Sequence, residues 1–485
     1  MIPTSLAEVT AAVRGRLVGA DPAATVTGAV EFDSRLVRPG GLFVAFLGEQ
    51  VDGHDYAATA RAAGAVATMG TRELPGEPMI LVADARDAMA DLARALVPRL
   101  PGLCVVGVTG SSGKTTTKDL LAQLLGRLGA TVAPPGSFNN ELGLPHTVLK
   151  AGTGTRYLVL EMGARGLGHI RYLCSIARPR LGVVLNVGVS HIGEFGSQER
   201  IGQAKGELVE ALDTDGVAVL NADDPRVRAM AGRTAGQVLL VGEAPEAAYR
   251  AVDVRVDGRG RASYRLCTPA GEVPVALAVP GRHQVGNTLA AAAVAAWCGL
   301  PLADLGAALG DLRLVSTRRM DVFTRADGVT VIDDSYNANP ASMAVALRAL
   351  ADVGTGGRRA AVLGYMAELG PHERDGHEQT GRLAAQLGID RLIVVGDNAA
   401  AIHHGAVAVS GWGGVSELVV DQDEATGRIR GWLRPGDVVL VKGSRYRTWQ
   451  VADALRGPTV GSPDTAGDRP AGTTGSAPTA PEVAG

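Results

Sequence analysis

Short aliphatic runs alternate along this chain with stretches whose apolar residues recur at helical spacing, and the succession falls into three blocks. In the first block, residues 1–99, segments 26–30 and 41–46 read as strands, and 57–63 and 84–97 read as helices. Asp84 is placed to cap the second helix, Pro98 stops it, and Arg38-Pro39-Gly40-Gly41 marks a turn before the second strand. In the second block, residues 100–313, apolar runs at 104–108, 157–160, 181–185, 217–220 and 238–241 alternate with helical patterns. That order predicts a parallel sheet with helices on both faces. From 250 to 279 the period changes to two around Asp257-Gly258-Arg259-Gly260, a hairpin signal, and an Ala-rich helix follows over 284–298. The third block, 314–456, has strands predicted at 329–332, 360–363, 392–395 and 438–441, with helices at 342–351, 380–387 and 424–433. The expected fold class is therefore α/β in three domains, the last a smaller sheet than the central one. Residues 457–485 hold no aromatic side chain and consist mainly of Pro, Gly, Ala, Ser and Thr; a disordered tail is expected there.

Composition narrows the function classes. Of the 485 residues 46% are apolar, ample for several cores, and the net charge of −3 gives no field that would gather nucleic acid or anionic lipid. Cys104, Cys174, Cys267 and Cys298 are far apart and lack zinc spacing, so they read as small apolar residues in a reducing compartment. No apolar run has membrane-spanning length, and Met1-Ile2-Pro3-Thr4-Ser5 lacks a leader pattern, so a cytoplasmic protein is expected.

The chemistry is concentrated in Gly107-Val108-Thr109-Gly110-Ser111-Ser112-Gly113-Lys114-Thr115-Thr116-Thr117, which follows an apolar run and opens a helical pattern over 116–128. Strand, glycine loop, Lys-Thr and helix form the context of a phosphate-binding loop. Glycines let backbone N–H groups crowd around phosphate oxygens, and the helix N-terminus adds partial positive charge. Lys114 supplies a point charge for the outer phosphates, and the Thr115 hydroxyl is a Mg²⁺ ligand candidate. A glycine turn alone would not require Lys-Thr at the helix start. Val108 stands where the general pattern has glycine, so the loop is a variant.

Other polar residues sit at predicted strand ends, which in such sheets face the ligand crevice. Glu161 ends one strand and is a second Mg²⁺ candidate; His191 follows the next. Lys205 is placed near a helix start, where it could meet phosphate or simply face solvent. Asn139-Asn140 lies in a loop after Pro134-Pro135-Gly136, and Asp333-Asp334-Ser335-Tyr336-Asn337-Ala338-Asn339-Pro340 leaves the first strand of the third block.

Together these stretches resemble the Mur ligase family. The match includes Asp33-Ser34-Arg35, Asp52-Gly53-His54-Asp55, Thr109 to Thr116, Asn139-Asn140, Glu161-Met162-Gly163-Ala164 and His191-Ile192-Gly193-Glu194-Phe195-Gly196. It continues through Ala204-Lys205-Gly206-Glu207, Gly281-Arg282-His283-Gln284 with Asn287, Asp333 to Pro340, and Met366-Ala367-Glu368-Leu369-Gly370. The last two runs are nearest to family members that join D-alanyl-D-alanine to UDP-N-acetylmuramoyl-tripeptide. The resemblance implies a small UDP-binding domain, a central ATPase-like domain and a C-terminal Rossmann-like domain. It implies ATP-driven ligation through an acyl phosphate, in a monomer, with no nucleic-acid or membrane partner. By the same resemblance, Thr109, Gly110, Ser111, Ser112, Gly113, Lys114 and Thr115 hold phosphate, Asn287 meets adenine, and Arg319 and Asp334 reach the nucleotide from the third domain. Thr115, Glu161, His191 and Lys205 serve two Mg²⁺ sites, Lys205 as a carbamate, and Lys114, Lys205 and His191 form the catalytic set. Ser34 and Arg35 hold the uridine-diphosphate end, Asn140 contacts substrate, and Tyr336 and Asn337 are candidates for placing the incoming amine.

The chain departs from the family pattern in three places: Tyr365 stands where Asp is usual, Arg318 where Gly is common before Arg319, and Tyr446-Arg447-Thr448-Trp449 is an atypical continuation. Members that add diaminopimelate carry Asp-Asn-Pro-Arg in the last domain, and this chain has no such run. Folylpolyglutamate synthases share the loop but lack the first-domain Asp-Ser-Arg block. A binding module without ligase activity is disfavoured by the intact set Lys114, Thr115, Glu161, His191 and Lys205.

Overall fold

The structure is a computed structural model that describes residues 1–48, 51–188, 192–353, 356–444 and 447–457. The expectations for His191 and for the tail after Gly457 fall outside the described residues.

Three sheets organise the described chain. The first has the spatial order Arg16–Val18, Met79–Leu81, Ala67–Gly70, Leu42–Val44, Val30–Glu31, with only Arg16–Val18 antiparallel to its neighbour. The expected single strand over 26–30 is instead two. Thr25–Val26 pairs with Thr4–Ser5 in a separate ribbon, while Val30–Glu31 joins the main sheet. Gly28 between them packs against the Gly40–Gly41 backbone, where a Cβ would come within 2.7 Å of the Gly41 nitrogen. Helix Ala85–Leu96 begins as predicted, with the Asp84 carboxylate accepting from the Arg86 and Asp87 amides.

The central sheet has nine strands. Every pairing from Thr131–Val132 through Tyr157–Glu161, Cys104–Thr109, Leu181–Val184, Val217–Asn221 and Gln237–Gly242 to Tyr249–Val256 is parallel. Arg261–Thr268 and Gly271–Pro280 extend the same sheet as antiparallel hairpins. Cys104–Thr109 lies between Tyr157–Glu161 and Leu181–Val184, so the chain leaves it first to one side and then to the other. Such a reversal opens a crevice at the carboxyl ends of the strands, the usual ligand position in open parallel sheets. The phosphate-loop sequence, Glu161 and the segment after Val184 all leave the sheet at this point.

The third sheet has six strands ordered Asp321–Thr324, Thr330–Asp333, Val438–Lys442, Arg359–Leu363, Arg391–Val395, Val415–Val419. The two edge strands, and helices Ala400–Val407 and Trp449–Arg456, have no counterpart in the sequence-based expectation. Asp321–Thr324 is held by antiparallel pairing to Thr330–Asp333, and its two apolar residues, Val322 and Phe323, are adjacent and only partly buried, so no alternation announces it.

Cores follow the same division with one exception. Leu42, Met69, Ile80 and Leu92 of the first body belong to a single buried cluster with Leu144, Val148, Leu160 and Leu208 of the central one. The other face of the central sheet packs against helices Lys114–Gly126 and Gln284–Trp297. The third body has its own two clusters, one on each face of its sheet.

Candidate active site

Helix Lys114–Gly126 starts directly after Gly113, which has φ +81° and offers no side-chain cap. A β-carbon at Gly113 would be strained in that conformation and would lie 2.7 Å from Asn287 Oδ1. The first-turn N–H groups thus point into the crevice with the helix dipole behind them, the arrangement that favours an anion. The loop is braced from behind by Asn186: its Oδ1 accepts from the Ser112 amide at 3.0 Å, and its Nδ2 donates to the Ser112 carbonyl at 3.2 Å. Ser111 Oγ accepts from the Gly188 amide at 2.8 Å. The Thr109 hydroxyl donates to the Met162 carbonyl at 2.8 Å, deep in the sheet, so this side chain ties two strands together and leaves only its backbone near the loop. Asn186 was missed by sequence reasoning; its sole signal is an Asn immediately after a buried strand.

Lys114 Nζ donates to the Gly110 carbonyl at 2.8 Å, curling back over the loop. Burial pushes its pKa down; the Glu161 carboxylate opposes this and Arg319 adds to it. Thr115 Oγ1 donates to Glu161 Oε2 at 2.9 Å. The other carboxylate oxygen accepts from Ser137 Oγ and from Asn139 Nδ2, each at 2.8 Å. Two hard oxygen donors, one of them anionic, converge at a helix N-terminus with the carboxylate orientation locked by neighbours, a donor set that suits Mg²⁺ beside a polyphosphate. Asn139, rather than Asn140, reaches this carboxylate. Asn140 Oδ1 accepts from the Leu142 and Gly143 amides at the start of helix Gly143–Val148, which gives it a capping position.

Lys205 is buried in helix Gln198–Glu210, not exposed, and no described residue offers it a hydrogen bond or an ion pair. Burial, reinforced by Lys114, drives its pKa well below the normal lysine value. Its neighbours explain the rest of the Ala204-Lys205-Gly206-Glu207 run. Gly206 gives room to the Arg233 guanidinium, which donates to the Gly202 and Gln203 carbonyls. The buried Glu207 carboxylate accepts from the Gly168 and Arg171 amides at 2.6 and 3.0 Å, closing the N-terminus of helix His169–Ile176.

From the third body, Arg319 Nη2 reaches Thr115 Oγ1 at 3.4 Å, and its guanidinium lies 4.1 Å from the centroid of the Tyr336 ring. Arg319 Nε is buried without a hydrogen-bond partner. Its flanking residues Arg318 and Met320 have φ of 60° and 56°, left-handed values that cost non-glycine residues energy. Glycine would adopt the first of these conformations without that cost. Arg318 is retained here by Asp453 at 2.9 Å and by the Trp449 ring.

Asp334 is held rather than free. Its Oδ2 is 2.5 Å from Lys442 Nζ, and its Oδ1 accepts from the Met320 amide. Lys442 is buried at a strand end, and burial lowers its pKa despite Asp334. It also donates to the Asn337 carbonyl, whose own side-chain oxygen accepts from the Ala338 amide. His283, at the start of helix Gln284–Trp297, senses both Asp334 and Lys442 and is pushed down to about 4 by burial. Asn287 donates to Gln284 Oε1 beside Gly113. Tyr365 donates to Glu373 Oε2 at 2.6 Å and stacks on His377, whose Nε2 accepts from the Met366 amide. Ser34 and Arg35 lie in the first body, away from this cluster. Ser34 is buried at the start of a single 3₁₀ turn capped by Asp33, and the exposed Arg35 pairs with the same Asp33.

Comparisons with known proteins agree with this architecture. Residues 27–102 match the description "Mur ligase family, catalytic domain", residues 108–295 "Mur ligase middle domain" and residues 318–445 "Mur ligase, glutamate ligase domain". The UDP-N-acetylmuramoyl-tripeptide--D-alanyl-D-alanine ligase of Mycobacterium tuberculosis H37Rv is 46% identical over 94% of this chain and 98% of its own. Its Escherichia coli K12 counterpart is 37% identical over 92% and 96%. Among solved structures, MurF from Acinetobacter baumannii superposes with a TM-score of 0.84 at 30% identity, over 94% of this chain and 98% of that one. MurF from Thermotoga maritima in complex with ADP gives 0.77 at 32% identity, over 89% and 97%. With the reversal point of the central sheet, the carboxylate-backed phosphate loop and the arginine entering from a third body all in place, the chain belongs to the Mur ligase family.

Proposed function

We propose that this protein is the ATP-dependent ligase that joins D-alanyl-D-alanine to UDP-N-acetylmuramoyl-tripeptide, giving UDP-N-acetylmuramoyl-pentapeptide, ADP and phosphate for peptidoglycan precursor synthesis. The observation that carries the reading is the relative of that name at 46% identity over 94% of this chain. The site geometry supports its ATP half. The terminal carboxylate of the tripeptide takes the γ-phosphoryl group of ATP, with ADP as leaving group. The amine of D-alanyl-D-alanine then attacks the acyl phosphate carbon, the amine proton is released, and inorganic phosphate departs. Residues 1–99 are assigned to the UDP-MurNAc-peptide end, with Ser34 and Arg35 at the uridine diphosphate. Residues 100–313 are assigned to ATP and 314–456 to closing the site.

Within this reading the phosphate loop from Gly110 to Gly113 gives its amides to the phosphates, and Lys114 leaves the Gly110 carbonyl to neutralise the outer ones. Thr115 and Glu161 would hold Mg²⁺, which when bound draws charge from the phosphate oxygens. Ser137 and Asn139 keep Glu161 turned toward Thr115. Arg319 adds a second cation from the opposite wall, where charge develops during transfer. Asn287 is placed for adenine, and Tyr336 and Asn337 for the dipeptide. A lysine with depressed basicity holds more free amine, the form that reacts with CO₂, so Lys205 is suited to carbamylation; His191 would share its metal site. Bringing these groups together from separate bodies shields the acyl phosphate from water. The enzyme is assigned to the cytoplasm as a monomer; among the described residues no helix is long and apolar enough to cross a membrane.

Phosphate release measured with UDP-N-acetylmuramoyl-tripeptide, with and without D-alanyl-D-alanine, tests the assignment. Release that ignores the dipeptide, or that answers to diaminopimelate instead, overturns it. Lys205→Ala is expected to abolish most turnover, with partial recovery on adding short carboxylic acids; near-normal turnover without them would remove the carbamate from the scheme.

A further inference from the structure

The central and third bodies also meet through two glycines. Gly193 belongs to the short helix Ile192–Phe195, whose Ile192 and Phe195 are buried in the cluster shared by the first and central bodies. Gly370 follows Met366 and Leu369, both buried in the core of the third body. A β-carbon on Gly193 would lie 2.8 Å from the Gly370 nitrogen, 3.0 Å from its Cα and 3.1 Å from the Glu368 carbonyl oxygen. From the other side, a β-carbon on Gly370 would lie 2.8 Å from the Gly193 Cα. The Gly193 amide donates to the Glu368 carbonyl at 3.4 Å, with Glu368 itself held at φ +65°. Backbone therefore rests on backbone, and the atoms in the way are not the ends of flexible side chains.

We propose that Gly193 and Gly370 form the stop that sets how closely the third body approaches the phosphate loop, and so are positioning residues for the ligation reaction. Each glycine is anchored by apolar neighbours to a different core. An added methyl group cannot be absorbed by a rotamer change, and the two bodies must part. The same approach brings Arg319 to Thr115, a contact already at 3.4 Å with little reach to spare. The two glycines differ in one useful respect. Gly370 has φ +52°, so any side chain there is strained on its own account, whereas Gly193 is not among the positive-φ residues and its backbone accepts alanine.

Gly193→Ala separates closure from folding. The inference rests on the ligase reading for its kinetic test and on shape alone for its second test. The full chain is expected to melt no lower than wild type and to bind a fluorescent ADP analogue with unchanged affinity, while turnover with both substrates falls roughly 100-fold, the order expected for a misplacement of about 1 Å. Gly427→Ala, in an exposed helix position with open space around it, serves as control and should behave as wild type. Small-angle scattering with ADP should show the Gly193→Ala chain more extended than wild type, a readout that needs no peptide substrate. Turnover of Gly193→Ala within about threefold of wild type, or superimposable scattering curves, overturns the proposal. If wild type fails to ligate but the two curves differ, the stop stands and the substrate assignment falls.

Discussion

The first and central bodies are joined by hydrocarbon, the central and third mainly by polar atoms and backbone, with small apolar contacts such as Leu314. Across the former junction Leu144, Val148 and Leu149 of the central body lie in one buried cluster with Ile80, Met89 and Leu92 of the first. One buried polar pair lies in this region, His146 Nε2 donating to Glu31 at 2.9 Å between the rings of Phe32 and Phe138. Across the latter junction are the Arg319 to Thr115 contact, the Gly193 and Gly370 backbones, and a linker whose Ser316 amide donates to Asp119 and whose Arg313 pairs through its backbone with the Gln123 side chain. Apolar burial is non-directional but large, so separating the first pair exposes extensive surface to water. Hydrogen bonds exchanged with water contribute far less net free energy, so the second pair can part and rejoin at low cost. A ligase that must admit a nucleotide and then exclude water needs one junction of each kind.

Three substitutions would break or sharpen that contrast. Leu144→Ala removes a fully buried side chain from the apolar junction. It should lower stability by about 2–5 kcal/mol in chemical denaturation, while turnover per folded molecule changes little. A loss of turnover without loss of stability would mean that the first junction moves as well. Arg319→Ala cuts the polar junction and should do the reverse, lowering turnover by roughly 10²–10³-fold with a nearly unchanged melting temperature, as for removal of a charge-stabilising donor. The smallest effect concerns His283, which faces Asp334 and Lys442 across this junction. With its folded pKa near 4 and an unfolded value near 6.5, the unfolded chain binds the extra proton between those limits. Stability must then rise with pH across that window and is lost as pH falls through it. His283→Gln should flatten that slope in denaturation midpoints measured from pH 4 to 7, and an unchanged slope would place the titration elsewhere.

The local signals in the chain were good guides where the chemistry itself is local. The Asp84 cap, the hairpin around Asp257-Gly258-Arg259-Gly260 and the phosphate loop each depend on a few neighbouring residues, and each is found close to its expected position. Failures came where a distant partner decides. Residues 26–30 carry a strand-like pattern but split because Thr25–Val26 finds Thr4–Ser5 while Val30–Glu31 finds Leu42–Val44. Lys442 ends a buried strand and pairs with Asp334, more than a hundred residues away, a contact that no local pattern announces. The adjacent Asn139 and Asn140 carry no local sign of their different partners: the chain's path turns the first toward Glu161 and the second toward the start of the next helix.

The chain's own order of residues settled which kinds of chemistry are present: an anion-binding helix start, a carboxylate at a strand end, lysines in polar motifs and a glycine-punctuated third block. These depend on backbone propensity and spacing, which short segments carry with them. Folding alone decided which of those groups meet, because Thr115, Glu161, Arg319 and the paired glycines approach one another only after three sheets have packed. It also decided how freely they part, since the strength of each junction is a property of the surfaces brought together and belongs to no single segment.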